Sequence, residues 1–133
     1  METSLKTGIL GKAMIVVAEK DTAISHGSGG IPVLATPAMI ALMENAAVSS
    51  VAAYLPEGRT TVGIKISSTH MAATPVGMEV TAQSELTEID GKRLVFKVEA
   101  FDSVDKIGEG IHERFIINTD KFMKKTREKG SQS

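Results

Sequence analysis

A carboxylate in an apolar segment, Glu44, and an imidazole at the end of a predicted strand, His70, could do acid–base chemistry, and the hydroxyl of Thr36 precedes them in the chain. The sequence contains no cysteine, which excludes a thiol nucleophile, a thiolate metal site and a disulfide framework. Any chemistry must therefore come from oxygen and imidazole groups. A carboxylate can serve as a general base or a nucleophile, and an imidazole can orient water or protonate a leaving group. Glu44 and His70 are accordingly the first candidates for such chemistry, whereas Thr36 could equally serve only as a helix cap.

Glu44 is notable because it interrupts a long apolar segment with the spacing of a helix. Residues 37–55 are mostly Ala, Met, Leu, Ile and Val, and helical spacing places Glu44 on a face with Ile40 and Ala47. An unpaired carboxylate is costly to bury, and active sites are where such groups are found. The alternative is that Glu44 and Asn45 belong to a solvent-exposed stripe without a catalytic role.

His70 ends a segment in which polar and apolar residues alternate as in a strand. This alternation places it on the face of Val62, Ile64 and Ile66, which faces the helix unless a bulge resets the register. A histidine there could form an acid–base pair with Glu44. The alternative is a core histidine satisfied by backbone carbonyls.

Thr36 precedes Pro37 at the start of the apolar segment. A hydroxyl followed by proline predicts that Thr36 is the N-cap and that Pro37 is the first residue of the helix. Capping the helix could be its whole role.

Two other histidines and one arginine have both a functional and a structural interpretation. His26 lies in a glycine-rich loop, where it either lines a substrate path or is simply exposed. His112 and Arg114 share one face of a predicted strand with Gly108 and Gly110, which leaves room for a ligand but also fits an exposed sheet face. The separated histidines do not have the spacing of metal ligands, so no metal site is predicted.

The elements that must position these residues are one long helix and several strands. Alternation predicts strands at residues 13–18, 61–69, 78–86, 94–101 and 106–118. Asp90-Gly91 predicts a type I′ hairpin, so the strands on either side of it should pair antiparallel. We expect the four later strands to form a meander. A helix that is apolar all round must be wrapped, which predicts an α+β fold of the hotdog type: an antiparallel sheet around one long central helix.

Composition limits the domain organisation and the partners. The 133 residues suit a single domain, 1–133, in which residues 119–133 form a short C-terminal helix and a frayed tail. The 15 basic and 16 acidic residues give no basic surface for nucleic acid. The N-terminal residues lack an apolar run of signal-peptide length, and Glu44 argues against membrane insertion of the helix, so we expect a cytoplasmic protein. The uncovered sheet predicts a homodimer.

Four stretches that span nearly the whole chain carry recognisable motifs. They are Val33-Leu34-Ala35-Thr36-Pro37 with Glu44-Asn45-Ala46-Ala47; Thr61-Val62-Gly63; Thr69-His70 with Pro75-Val76-Gly77; and Gly110-Ile111-His112-Glu113-Arg114-Phe115 with Lys121-Phe122. Together they resemble the hotdog-fold acyl-CoA thioesterases of the fluoroacetyl-CoA thioesterase-like group. The catalytic threonine, glutamate and histidine of that family match Thr36, Glu44 and His70.

The resemblance implies hydrolysis of an acyl-CoA thioester to a free acid and CoA, without a cofactor. Glu44 would activate water or attack the carbonyl, His70 would orient water or protonate the departing thiolate, and Thr36 would position substrate or carboxylate. Thr36 and Glu44 are separated by roughly 12 Å along one helix, since each residue adds about 1.5 Å. Either they contact different parts of the substrate, or one is supplied across a dimer interface, which is the arrangement we expect.

Three further residues are predicted to bind the substrate on the same grounds. A backbone N–H near Gly63 or at a helix end would stabilise the oxyanion, whereas Lys65, Arg114 and the tail lysines would meet the CoA phosphates. Members specialised for fluoroacetyl-CoA look as if they place phenylalanines before the helix, but residues 21–34 contain no aromatic residue here. The fluoroacetyl specificity is therefore not carried over. The alternative functions are a hotdog enoyl-CoA hydratase and a non-catalytic module that binds acyl-CoA or another small hydrophobic ligand.

Overall fold

The structure of the chain is a computed structural model that describes residues 5–132. The predicted domain spans residues 1–133, and its residues 1–4 and 133 lie outside the described part. The elements follow in the order β1 (Leu10–Val16), a 3-10 turn (Glu19–Asp21), α1 (Ala23–His26), α2 (Thr36–Ala52), β2 (Arg59–His70), β3 (Glu79–Asp90), β4 (Arg93–Phe101), β5 (Lys106–Asn118) and α3 (Thr119–Gly130).

The strands form one five-stranded antiparallel sheet in the order β1-β3-β4-β5-β2. This sheet and the long helix α2 confirm the predicted α+β hotdog architecture. The predicted four-strand meander is wrong, because β2 pairs with β5 and not with β3. The chain passes along α2 between β1 and β2, so these two strands lie at opposite edges, and only β3, β4 and β5 follow one another through short connections.

Helix α2 packs mainly on β1 and β3 and supplies much of the core. Met39, Met43 and Ala46 are fully buried against strand residues such as Phe96 and Val98. The helix is nevertheless not enclosed on every side. Its exposed stripe is Ala41, Asn45, Ser49 and Ala52, and a second stripe, Ile40, Glu44 and Val48, is half-buried. The solvent-exposed stripe that the sequence left as an alternative is therefore present at Asn45, whereas Glu44 beside it is half-buried.

The hairpin between β3 and β4 shows the predicted antiparallel pairing with a different turn. The two turn residues are Gly91 and Lys92, and Asp90 pairs with Arg93. Of these, only Gly91 has a positive φ, +61°. A type I′ turn needs positive φ at both central positions, whereas a type II′ turn needs it only at the first. The type I′ prediction is therefore wrong.

Candidate active site

The hydroxyl of Thr36 lies against the ring of His70. The distance from Thr36 Oγ1 to His70 Nδ1 is 2.7 Å, although 34 residues separate them in the chain. Thr36 is the first helical residue, and Ala35 occupies the N-cap position without a side-chain hydrogen bond. The prediction that Thr36 caps the helix is therefore wrong. Its hydroxyl is available to His70 because it is not used by the helix.

A β-bulge in β2 sets the direction of His70. The register shifts between Gly63 and Lys65, so Ile64 is the extra residue. Thr61 and Gly63 face inward before the bulge, and His70 faces inward after it, paired with Gly108 on β5. The prediction that Val62 and Ile64 share the inner face with His70 is wrong, and Ile64 is exposed. The bulge alone makes His70 face the helix.

The far nitrogen of His70, Nε2, is buried without a hydrogen-bond partner in the described part of the chain. Burial lowers the pKa of His70, and the backbone of Ala72 opposes this shift in part. A lowered pKa keeps the imidazole neutral near pH 7. The ring can then accept or deliver one proton, while the Thr36 hydroxyl holds its orientation.

Thr36 and His70 form one wall of an open cleft of about 320 Å³. Its other walls come from α1 and the loop after it, from the chain entering α2 and from the segment that follows β2. The lining residues are Ala23, Ser28, Val33, Leu34, Thr36, His70, Met71, Ala72 and Ala73. No acidic or basic side chain other than His70 is among them.

A second polar cluster surrounds Arg114, on the face of the sheet that is directed towards α2. Arg114 is only 8% exposed and donates from Nε to Thr61 Oγ1 at 2.8 Å and from Nη2 to the Thr61 carbonyl at 2.9 Å. Its Nη1 donates to His112 Nε2 at 3.1 Å. Since His112 Nδ1 lies 2.9 Å from the Lys65 carbonyl, it must carry the proton, which leaves Nε2 as the acceptor. His112 is therefore neutral and holds the guanidinium in place.

The buried environment of this cluster excludes the interpretation of His112 and Arg114 as an exposed sheet face. His112 is 0% exposed, and burial is the main cause of a lowered pKa for both side chains. The charge of Arg114 further lowers the pKa of His112, whereas the backbone of Lys65 and the charge of Glu44 raise it. Alternation in β5 places His112 and Arg114 on the same face of the strand. It does not show which face is buried, because that depends on how β5 pairs within the sheet.

Glu44 and Gly63 lie beside this second cluster. A Cβ placed on Gly63 would be 3.3 Å from Arg114 Nη1, 3.3 Å from His112 Cε1 and 3.6 Å from Glu44 Oε2. Because Gly63 has no side chain, the half-buried carboxylate of Glu44 and the guanidinium share an open space. Within residues 5–132, Glu44 has no hydrogen bond or ion pair with another side chain, so its oxygens remain available to water or substrate.

The structure thus brings the predicted residues together in two groups. Thr36 and His70 form the first, and Glu44, Gly63 and Arg114 form the second, about 12 Å along the helix from Thr36. The Lys65 side chain is exposed, and only its carbonyl joins the cluster. Thr61 was not recognised from the sequence, because its inward direction depends on the same bulge. The roles of all these residues stay predictions.

The remaining surface adds little to the site. His26 is exposed in a separate depression next to Asn45 and Asp21. Within residues 5–132, no group of His, Asp and Glu side chains could hold a metal ion. In the same range, none of the helices has the length and hydrophobicity needed to cross a membrane.

Comparisons with known proteins point to one family. The model of a family described as fluoroacetyl-CoA-specific thioesterase, FlK, matches residues 17–120. A fluoroacetyl-CoA thioesterase from Streptantibioticus cattleyicolor is 47% identical over 97 residues, which are 73% of this chain and 70% of that protein.

Solved structures agree with the family match. The crystal structure of the fluoroacetyl-CoA thioesterase FlK has a TM-score of 0.89 and 38% identity, over 95% of this chain and 98% of that chain. A thioesterase superfamily member from Thermus thermophilus has a TM-score of 0.88 and 26% identity, over 96% of this chain and 94% of that chain. Variants of FlK have been solved with fluoroacetate and CoA and with acetyl-CoA.

Proposed function

Because the chain belongs to the fluoroacetyl-CoA-specific thioesterase family and is a thioester hydrolase of the hotdog fold, we propose that it hydrolyses an acyl-CoA with Thr36, Glu44 and His70. The products are a free acid and CoA. The observation that carries this assignment is the 2.7 Å contact between Thr36 Oγ1 and His70 Nδ1 on the wall of an open cleft. A histidine oriented in this way beside a substrate-sized space suits proton transfer to a leaving thiolate.

His70 acts as the proton carrier in this scheme. Its buried Nε2 has no partner within residues 5–132, and its lowered pKa favours the neutral ring. Thr36 fixes the ring through Nδ1, which leaves the buried Nε2 as the nitrogen that can carry or release the proton. This arrangement needs no metal ion or cofactor.

Glu44 acts as the general base or as the nucleophile. Its carboxylate faces the open space above Gly63, where it either activates a water molecule or attacks the thioester carbonyl to form a mixed anhydride. In the second route the C–S bond breaks as the anhydride forms, CoA leaves as the thiol after protonation by His70, and water then hydrolyses the anhydride, so both routes end in the same products. In each of them the negative charge that develops on the carbonyl oxygen needs a preorganised donor.

Arg114 supplies that donor. A guanidinium has five N–H groups, and three of them bind Thr61 and His112, which leaves one free N–H on each terminal nitrogen. Burial of Arg114 next to Glu44 favours a role at the reacting carbonyl over contact with the CoA phosphates. The exposed side chain of Lys65 remains the candidate for the phosphates.

The active unit is a homodimer with a site shared between two copies. Thr36 and Glu44 are about 12 Å apart along one helix and cannot act on the same carbonyl within one chain. Strand β2 is a sheet edge next to the half-buried stripe of α2 that carries Glu44. Pairing of two β2 edges about a two-fold axis would cover both surfaces and bring Glu44 of one copy towards His70 of the other. A cytoplasmic location is also proposed, on the sequence alone.

A panel of acyl-CoA substrates with detection of released thiol tests the activity. We expect thiol release by the wild type and a loss of about 10²-fold or more in Glu44→Gln and His70→Ala, the range for removal of an acid–base group. Loss of enoyl absorbance without thiol release would instead indicate a hydratase. Recovery of intact ligand from a stable complex would indicate a binding module. Either of these results would contradict the thioesterase assignment.

A further inference from the structure

The cleft beside Thr36 and His70 indicates which kind of acyl group the protein accepts. We infer that this group is uncharged, apolar and longer than two carbons, and that it lies in this cleft during the reaction. This inference deepens the proposed thioester hydrolysis and depends on it for the identity of the ligand.

The walls of the cleft are formed by small side chains. Ala23, Ser28, Ala72 and Ala73 all contribute to the lining, and residues 21–34 contain no aromatic side chain that could fill the space from above. Ser28 and Ala73 are exposed, so the outer part of the cleft has no large side chain at these two positions. The chain thus leaves open the space beside the candidate proton carrier.

The volume of the cleft exceeds the needs of a two-carbon acyl group. The cleft holds about 320 Å³, whereas one water molecule in the liquid takes up about 30 Å³, which is also the order of magnitude for a methylene. An acetyl group would leave most of this space to water in contact with apolar side chains such as Val33 and Met71. A longer apolar chain would displace that water, which is favourable in proportion to the apolar area removed from it.

Exposed apolar side chains lie close to the cleft. An antiparallel bridge between Val33 and Pro75 brings the segment before α2 next to the segment after β2. Ile31 and Val76 flank this bridge and are 63% and 50% exposed, and Met71, which lines the cleft, is 49% exposed. Exposed apolar side chains grouped at the mouth of a cleft mark a binding surface for an apolar ligand. Since no Asp, Glu, Lys or Arg among residues 5–132 of the same chain lines the cleft, and Glu44 of the partner subunit is engaged at the thioester carbonyl, a dicarboxylic or aminated acyl group has no free counter-charge there.

The inference predicts a dependence of kcat/KM on acyl chain length. With acetyl-, butyryl- and hexanoyl-CoA, we expect kcat/KM to rise by about fourfold per methylene until the cleft is filled, the ratio that burial of one methylene gives. The substitutions Ser28→Phe and Ala73→Phe narrow the cleft at exposed positions. Each should lower the ratio of hexanoyl to acetyl kcat/KM by at least about tenfold. Ser131→Phe, at the exposed C-terminal end of α3, is the control and should leave this ratio unchanged.

These measurements distinguish failure of the inference about the acyl group from failure of the proposed function. If the wild type releases thiol but kcat/KM is flat or falls from acetyl to hexanoyl, the inference is wrong and the proposed function stands. If no acyl-CoA is hydrolysed, the proposed function is wrong, and binding of unreactive alkyl-CoA thioethers with two, four and six carbons decides the inference. Tighter binding of the longer chains, abolished in Ser28→Phe, would support the cleft assignment, whereas equal affinities would overturn it.

Discussion

Thr36 Oγ1 and His70 Nδ1 are 2.7 Å apart, and this hydrogen bond joins the first turn of the long helix to the last residue of an edge strand. The contact orients the imidazole and leaves Nε2 directed away from the helix start. The hydroxyl takes part in it because the helix is not capped by Thr36. One hydrogen bond therefore connects the position of the helix to the direction of the histidine.

Replacement of Thr36 separates the role of the hydroxyl from that of the side-chain shape. Thr36→Val removes the hydrogen bond to His70 but keeps the branched shape, so we expect kcat to fall by about 10²-fold with little change in the thermal midpoint. Thr36→Ser keeps the hydroxyl and should retain most of the activity. Equal activity of the valine and serine variants, measured by thiol release, would show that the hydroxyl does not position His70.

A mixed dimer tests whether the site is shared. Glu44→Gln and His70→Ala are each expected to be inactive as homodimers. If Glu44 and His70 act from different copies, each mixed dimer contains one intact site and one doubly altered site. Co-refolding of equal amounts should then restore about a quarter of the wild-type activity, since half of the dimers are mixed.

Absence of any restored activity in that mixture, with mixed dimers verified by differently tagged chains, would place both residues of the site in one copy. A wild-type sample refolded in the same way is the control for losses during refolding.

Gly63→Ala should disturb the reaction more than the fold. The added Cβ would lie 3.3 Å from Arg114 and His112 and close to Glu44, in the space where the reacting carbonyl is proposed to lie. We expect kcat/KM to fall at least about tenfold, with a change in the free energy of unfolding of about 1 kcal/mol or less. Gly30→Ala, where a Cβ meets no atom within 4 Å, is the matched control. An unaltered kcat/KM in Gly63→Ala would exclude that space from the site.

The hydrogen bonds that the buried guanidinium of Arg114 donates predict that lysine cannot replace this residue. Arg114→Lys keeps the positive charge but loses hydrogen bonds to Thr61 and His112, and leaves buried acceptors unsatisfied. We expect the free energy of unfolding, measured with urea, to fall by about 2–4 kcal/mol. The exposed Arg59 provides the control, and Arg59→Lys should change this value by less than about 0.5 kcal/mol.

His112 makes stability depend on pH. Burial lowers its folded-state pKa below 6.5, so the unfolded chain binds more protons than the folded chain once the pH falls below that value. The free energy of unfolding should therefore be highest above pH 6.5 and decrease towards pH 5, because protonation places a second cation beside Arg114. His70 contributes in the same direction, since its pKa is also lowered.

Urea unfolding at pH 7.5, 6.5 and 5.5 measures this dependence. His112→Gln should show a weaker decrease than the wild type, whereas His26→Gln, which changes an exposed histidine, should follow the wild type. A wild-type stability that rises on acidification over this range would contradict the assigned protonation of His112.

Local patterns in the sequence determined the types of element and the identity of the candidate residues. The apolar run marked one long helix, alternation marked the strands, and Asp90-Gly91 marked a hairpin, because each of these signals comes from residues close together in the chain. The residue types Thr36, Glu44 and His70, with no cysteine present, limited the chemistry to oxygen and imidazole groups. None of these inferences required knowledge of long-range contacts.

The tertiary structure alone decided where those residues point. One extra residue, Ile64, shifts the alternation of the side chains in the rest of β2, so that His70 faces the helix. The periodicity of the sequence cannot locate an insertion of a single residue. Pairing of β2 with β5 buries His112 and Arg114 and leaves β2 at an edge, because strand order depends on the path of the chain across the sheet. Sequence therefore defined the chemical groups, and packing between distant segments defined their geometry.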